Sequence, residues 1–544
     1  MKLFGLFSCL RREEVEKPKK ALTASGFGNS DEKSKAPVTI SSLYAENFEG
    51  KTSIVKELEA LGIDQTKCQE GRPFRKRDLW LQALAAISAS VALIACGGHV
   101  GWTSPALPYL EREYGVSKVQ SSWIASLYTL GGILGSLLSP LLLERLGRKG
   151  SLLMFAGPQI VGWSIVIPAR SVELLLLARF VAGVGHGGIF NVATIYMGEI
   201  ADRRVRGAFG TLLKLSVNLG GLFATTAGAF LPYQQLNLVE LGPPLLFVAS
   251  FVFMPESPYF YLGRGQTERA TACVLRLRRR KSLDEPLRRE LDSMQRDALE
   301  NRDSERQGGL VRLLCENRRA VWIVLALKFT QHMSGHQAIV SYTQEIFGYS
   351  YDSSEGGSLG PEHWAIVLGL AQLAAGLVAA LLVDRLGRRP LILVSGLAAA
   401  FCLALVGYFF FVKEELGRDA SHLVWLPATG IIGYEIFVSF GIGTIPYVLL
   451  GEIFPANLKG TAVAMAIVVG SLFGFLISFG YQHVVLLLGV YPTFWIFAAC
   501  CAAGTICIYV ITPETKGKSL EEIQMIINPK RSQVYVRRPS MTKV

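Results

Sequence analysis

The chain has 544 residues, half of them hydrophobic and 18% charged, with a formal net charge of +12. A soluble chain of this length would divide into several domains with polar surfaces; here charge lies in a few blocks between apolar stretches of the ~20 residues that cross a bilayer core. The basic sum alone would suit nucleic-acid binding, but a membrane protein with a basic inner face carries the same sum, and the placement of the charges favours the latter.

In chain order, residues 1–79 mix Lys, Glu, Ser and Pro with little periodicity and read as a disordered cytoplasmic tail. The apolar opening Met1–Leu10 is too short for a signal sequence and runs into Arg11-Arg12. Cys9 reads as a plain tail cysteine rather than a palmitoylated one. Apolar stretches follow at roughly 82–107, 120–143, 150–168, 173–197, 208–231 and 241–255, within a first half spanning 80–262. Residues 263–318 alternate Arg, Glu and Leu, as short amphipathic helices under a bundle would. A second half over 319–512 carries stretches at 320–342, 364–383, 390–412, 422–450, 461–482 and 489–511, before a tail at 513–544.

With no water in the bilayer core, each stretch must satisfy its own backbone hydrogen bonds and is expected to be helical. Pairs such as Gly183 with Gly185, and Gly470 with Gly474, let helices approach closely and imply a packed bundle. Arg145, Arg148, Lys149, Arg203, Arg204, Arg206, the block from Arg276 to Lys281, and Arg385, Arg388 and Arg389 all fall on one side. Acids such as Glu345, Asp352, Glu355 and Glu362 fall on the other, so both termini and the middle loop are expected in the cytoplasm. Five of the nine cysteines (96, 402, 500, 501 and 507) lie in apolar runs and none in an expected outer loop, which argues against a disulfide scaffold.

Three short patterns recur in the same order. Glu144-Arg145-Leu146-Gly147-Arg148-Lys149 matches Asp384-Arg385-Leu386-Gly387-Arg388-Arg389; Gly198-Glu199-Ile200, leading to Arg206-Gly207, matches Gly451-Glu452-Ile453, leading to Lys459-Gly460. Pro255-Glu256-Ser257-Pro258 matches Pro513-Glu514-Thr515-Lys516. Two repeated six-helix halves are what transporters with a mid-membrane site between parallel repeats carry. The matched acids and arginines at the helix ends suggest a latch that closes and opens as the halves rock. The simpler alternative, that the basic loops only set topology, leaves the matched acids and glycines unexplained.

These motifs resemble the sugar porter family of the major facilitator superfamily, from about Gly98 to Ile523. The string from Pro513 to Ile523 is specific to that family, and Gly101-Trp102-Thr103-Ser104-Pro105-Ala106-Leu107 resembles its insect trehalose transporter branch. Arg179 with Gly183 and Gly185 adds to the match. The resemblance implies an all-α membrane protein of twelve transmembrane helices in two six-helix halves, with a small intracellular helical domain. It implies an inner salt-bridge lattice of Glu144, Arg145, Arg148, Glu199, Arg206, Asp384, Arg385, Arg388 and Glu452, to which Glu256 of the repeated Pro-Glu pattern is added.

The resemblance also places a sugar site on Gln331, His332, Gln337 and Tyr342, with Gln372 and Tyr447. Here the chain departs from the family pattern: His332 stands for a Gln, Gln337 for an Asn, Tyr447 for a Trp, Lys214 for a sugar-binding Gln, and Gly470-Ser471 for an Asn-Trp pair. Proline and glycines in Gly441-Ile442-Gly443-Thr444-Ile445-Pro446 are expected to interrupt their helix. Lys328 and Glu435 add an intramembrane cation and acid, and a charge at mid-bilayer costs at least ~2.5–3.5 kcal/mol. Either Glu435 pairs with Lys214 or Lys328 (or the lysines reach an interface), or Lys214 lines the cavity and selects an acidic substrate.

Residues 82–110 contain no carboxylate, and His99 there reads as a packing residue, so passive transport is expected over proton coupling. The leading expectation is a plasma-membrane carrier for trehalose or a hexose, working as a monomer by alternating access without cofactor, metal or nucleic acid. A carrier retuned to a non-sugar or anionic metabolite and a non-transporting sugar sensor are the alternatives. No nucleophile elbow or phosphate loop suggests an enzyme. His332 and His336 stand four residues apart, a metal-ligand spacing on a helix, but no third ligand lies near in sequence.

Overall fold

The computed structural model describes residues 79–202, 205–306, 313–315, 317–350, 360–417, 423–454, 458–516, 518 and 520–527. The side chains of Arg206, Asp384 and Arg385, and both tails beyond these bounds with Cys9, lie outside the described residues. The described chain is helical throughout.

In the first half α1 (Trp80–Gly101) and α2 (Thr103–Tyr114) meet at Trp102. Helix α3 (Lys118–Val166) starts with a capping box between Ser117 and Gln120. Its 49 residues would reach ~74 Å at 1.5 Å per residue, about twice a bilayer core. The reason is an interruption at Gly147 (φ +76°), where two apolar helices join through a conformation that favours glycine. Then follow α4 (Val172–Ile200), α5 (Arg206–Phe230), α6 (Tyr233–Glu240) and α7 (Gly242–Phe251).

Three helices join the halves: α8 (Pro258–Gly263), α9 (Thr267–Arg278) and α10 (Glu285–Arg306). They bury Ala270 and Val274 against Leu287, Leu291 and Met294, and Arg278 ties them to the bundle through the Ile200 carbonyl (3.0 Å) and to each other through Glu290 (2.6 Å).

The second half comprises α11 (Arg318–Met333), α12 (His336–Ser341), α13 (Thr343–Ser350), α14 (Pro361–Leu386) and α15 (Arg388–Glu414). It continues with α16 (Trp425–Phe440), α17 (Ile445–Ile453), α18 (Lys459–Leu488) and α19 (Val490–Ile511), and α20 (Leu520–Ile527) closes the described chain. The expected break before Pro446 is present: Gly441 leaves the helical region (φ −126°, ψ −84°) between α16 and α17. A second break, not expected, falls at Gly335 (φ +83°), where a Cβ would lie 2.5 Å from the Phe497 ring. It corrects one reading of the sequence: His332 and His336 belong to different helices, so their spacing does not put them on one face.

Among the described residues, nine helical stretches are long and apolar enough to cross a membrane, α3 counted once. Their outward faces carry exposed Leu137, Leu141, Phe401 and Leu487, apolar surface that a bilayer would cover. Inside the first half, Arg179 is buried and donates to the carbonyls of Ile124 (3.0 Å) and His99 (2.7 Å), under the rings of Tyr128 and Trp102. The Trp102 indole donates to Asn237 (2.7 Å), which anchors the α1–α2 break to α6. The halves pack on each other through α3 against α18 and α5 against α14.

Candidate functional site between the two halves

At the arginine-rich end, each half builds the same node. The peptide groups after Gly147 and Gly387 (φ +89°) start new helical segments whose N–H groups lack helical partners. Glu256 accepts from the N–H groups of Arg148 (2.9 Å), Lys149 (3.0 Å) and Ser257 (2.8 Å). Glu514 accepts from those of Arg388 (3.1 Å), Arg389 (2.9 Å), Thr515 (3.0 Å) and Lys516 (2.9 Å). A carboxylate at a helix start gains from both these bonds and the helix dipole. Beside each cap, Arg148 pairs with Glu199 (2.7 Å) and Arg388 with Glu452 (2.6 Å). The second oxygens of those acids accept from the hydroxyls of Ser257 and Thr515.

The two caps differ in electrostatics. Burial outweighs the N–H donors and Arg148 at Glu256 and raises its carboxyl above the ordinary value. At Glu514 burial also pushes upward, but four backbone N–H donors win and hold the carboxyl low. Of the expected lattice, then, the structure joins Arg148, Glu199 and Glu256 within the first half and Arg388 with Glu452 within the second. Glu144 and Arg145 have exposed side chains, and their carbonyls accept from Arg264 (2.9 and 2.8 Å).

Toward the acidic end, a small cleft lies between the halves, lined by Gly101, Gly221 and Thr225 from one and Val340, Thr343 and Gln372 from the other. This places the expected Gln372 on the interface. Tyr342 goes elsewhere: it is buried, stacked on Tyr481 (4.9 Å), and its hydroxyl donates to the Ser478 carbonyl (3.0 Å).

Closer to the arginine-rich end, the break between α16 and α17 brings charges together. Lys214 lies eight residues into α5, about 12 Å along it, and its ammonium donates to the Thr444 hydroxyl (3.4 Å). Lys328 of α11 donates to the Gln331 side-chain carbonyl (3.1 Å) and sits 4.0 Å over the Tyr447 ring. Tyr447 in turn faces Phe190 of α4 across the interface (ring centroids 6.4 Å). The missing Asn-Trp pair leaves room that other residues fill. A Cβ on Gly470 would lie 3.4 Å from His332 and 3.5 Å from the Lys328 stem, and one on Gly474 would lie 3.8 Å from Gln337. Lys214, Gln331, His332, Gln337 and Tyr447 therefore converge on one region.

The pairing expected for Glu435 is not the one found. Its carboxylate is fully buried and takes a hydrogen bond from or to His336 Nδ1 (3.0 Å) rather than from Lys214 or Lys328. The helix break at Gly335 is the reason, since it turns His336 toward α16.

Two further features were not read from the sequence. Lys118, at the start of α3, bridges Glu111 (2.7 Å) and, across the halves, Glu345 (2.6 Å). Glu345 also accepts from Tyr349 (2.6 Å) and Gln482 (2.7 Å). Glu240 ends α6 fully buried, with no hydrogen-bond partner for either oxygen among the described residues, against Gly98 of α1. The first lies 227 residues apart in sequence, which no local pattern signals. The second sits at the edge of an apolar stretch, where an acid passes for a loop residue.

Apolar spanning helices in two repeated halves, with a cleft and buried polar groups between them, define a multi-pass membrane protein. A sequence signature described as "Sugar (and other) transporter" matches residues 65–527, and the chain belongs to that family. A facilitated trehalose transporter of Apis mellifera ligustica is 32% identical over 449 residues, 82% of this chain and 88% of that one. One from Culex quinquefasciatus is 31% identical over 447 residues, 81% and 85% of the two chains. Trehalose transporter 1 of Drosophila melanogaster is 32% identical over 450 residues, covering 82% of this chain and 52% of that longer one. Among solved structures, the major facilitator superfamily proton:xylose symporter XylE bound to 6-bromo-6-deoxy-D-glucose superposes with a TM-score of 0.67 at 20% identity, covering 82% and 99%. The inward-open xylose transporter XylE of E. coli gives 0.66 at 18% identity, covering 81% and 98%. At those identities the likeness concerns the fold.

Proposed function

We propose that the chain is a facilitated carrier for a sugar, trehalose or a hexose, working by alternating access across the plasma membrane as a monomer. The observation that carries this reading is the cavity between two repeated halves in a chain nearly a third identical, over most of its length, to insect facilitated trehalose transporters. The nine apolar stretches then correspond to twelve spans in two halves: α3 supplies two across Gly147, and the broken pairs α6–α7 and α11–α13 supply one each. Both termini and helices α8–α10 face the cytoplasm, under the arginine-rich end, as an intracellular helical domain. Gln331, His332, Gln337, Gln372 and Tyr447 bind the sugar, with Tyr342 supporting them from the packed side.

The matched nodes of Arg148, Glu199 and Glu256, and of Arg388 and Glu452, brace the inner ends of each half so that each moves as a body. Glu144, Arg145, Arg206, Asp384 and Arg385 belong to the same inner lattice. Transport needs no proton, since α1 carries no carboxylate.

Uptake of labelled trehalose and glucose into proteoliposomes, with and without a proton gradient, tests the reading. Sugar flux that is indifferent to the gradient is expected. Flux that collapses when the gradient is dissipated would refute the passive mechanism, and binding without flux would point to a sensor.

A further inference from the structure

The region where the two halves meet at the α16–α17 break holds more positive charge than a neutral sugar requires. Lys214 comes from the first half and Lys328 from the second, and both reach the broken segment between α16 and α17. Their direct contacts are neutral: a threonine hydroxyl, an amide oxygen and an aromatic face. Glu435 lies on α16, six residues before that break, and is fully buried and engaged with His336. Among the described residues, two ammonium groups thus face one carboxylate that bonds neither of them, which leaves one positive charge in surplus.

A charge kept at mid-bilayer without a direct counter-charge is costly, and where it persists it marks a substrate or ion pathway. Tyr447, under Lys328, is 42% exposed, so one wall of this region is open. The lysines themselves pack closely where glycines stand: a Cβ on Gly443 would come 3.0 Å from Lys214 Nζ, and one on Gly470 3.5 Å from the Lys328 stem. Gln331, His332 and Gln337 stand beside the two lysines and supply amide and imidazole groups for hydroxyls.

We propose that Lys214 and Lys328 form a two-sided anion clamp and that the carrier takes a monoanionic sugar, a polyhydroxylated body bearing one carboxylate, in addition to or ahead of neutral sugars. This rests on the carrier reading above and specifies its substrate class. The clamp draws one lysine from each half, so a carboxylate between them neutralises the surplus and links the two bodies that must close around the cargo. A carboxylate fits the surplus of one charge better than a phosphate monoester, which carries −1.5 to −2 at neutral pH.

The test uses the full-length chain in proteoliposomes, with labelled D-glucuronate, D-gluconate, glucose 6-phosphate, D-glucose and trehalose as probes. Saturable uptake of glucuronate or gluconate is expected, with the acid competing against neutral sugar uptake in the wild type. K214Q and K328Q should each raise the KM for the acid about tenfold or more, the loss of one charge-assisted bond, while K214R and K328R retain most of it. Competition in the wild type stands independently of whether a variant folds, and the melting temperatures of the purified variants without substrate check that they do.

Neutral sugar flux with no uptake of, or competition by, either acid would overturn the clamp and leave the sugar carrier standing. Preference for glucose 6-phosphate would overturn the carboxylate assignment. Absence of flux for every probe would overturn the carrier reading itself, and the clamp with it.

Discussion

The bridge from Lys118 to Glu345 joins the halves at the acidic end, the outer side in the proposed topology, and so should set how readily that side opens. Removing the ammonium with K118M keeps the aliphatic stem and deletes one cross-half contact of 2.6 Å. Glu345 is mostly buried (8% exposed side chain) and Lys118 a third exposed (33%), which places the pair between an exposed ion pair at 0.2–1 kcal/mol and a charge-assisted buried bond at 1.5–3 kcal/mol. Discounting for solvent at the lysine gives about 1–2 kcal/mol, a shift of roughly five- to thirtyfold toward the state open at that end. Fluorophores carried by non-canonical residues at the exposed positions Val119 and Leu487, read by single-molecule energy transfer in nanodiscs, report the two populations directly. Because Lys118 also holds Glu111, the cycle K118M, E345Q and the double variant isolates the cross-half term. A population change under twofold, a shift in the opposite direction, or a coupling below about 0.3 kcal/mol would refute the latch.

Other perturbations test the remaining parts. E240Q removes the ionisable group from a buried site that offers it no hydrogen-bond partner among the described residues and keeps its shape, so the melting temperature of the purified protein should rise; a fall would reveal a counter-charge at Glu240. G335A forces a Cβ into a left-handed conformation (φ +83°) and onto Phe497, which should cost ~2 kcal/mol or more and lower both yield and melting temperature. The two caps should respond oppositely to acid. Glu514 is held below the ordinary glutamate range of about 4.3, so its stabilisation is full above that range and is lost as pH falls through its lower folded value. Glu256 is raised, so its folded-state penalty is present at neutral pH and disappears on acidification. Thermal melts from pH 7 down to about pH 3 should therefore find E514Q destabilising at pH 7 and, below the ordinary glutamate range of about 4.3, progressively less so. E256Q should be milder at pH 7; equal, pH-independent losses would contradict the assignment.

Much of this architecture is local and was legible. Apolar stretches of bilayer length identify spanning helices because lipid leaves the backbone no alternative. The repeated acids and glycines mark equivalent places in the two halves, and Pro446 with its glycines marks a helix break because the chain there lacks a donor and tolerates bending. Gln372 was set in the site by the family resemblance alone, and it lines the cleft between the halves.

The charges inside the membrane were not legible in the same way. Sequence alone offered Lys214 or Lys328 as the partner of Glu435, and the structure instead assigns His336, because a left-handed turn at Gly335 rotates α12 away from the line of α11. Tyr342, one turn further on, is carried into the packing beside Tyr481 by the same break. Lys118 and Glu345, and Glu240 against Gly98, meet only when separate helices are assembled. Hydropathy and motif order along the chain thus determine that this is a two-half membrane carrier of the sugar transporter family. Which ionic groups stand alone and which are paired was decided by tertiary structure, because a helix's rotation and breaks, not its sequence neighbours, determine what each side chain faces.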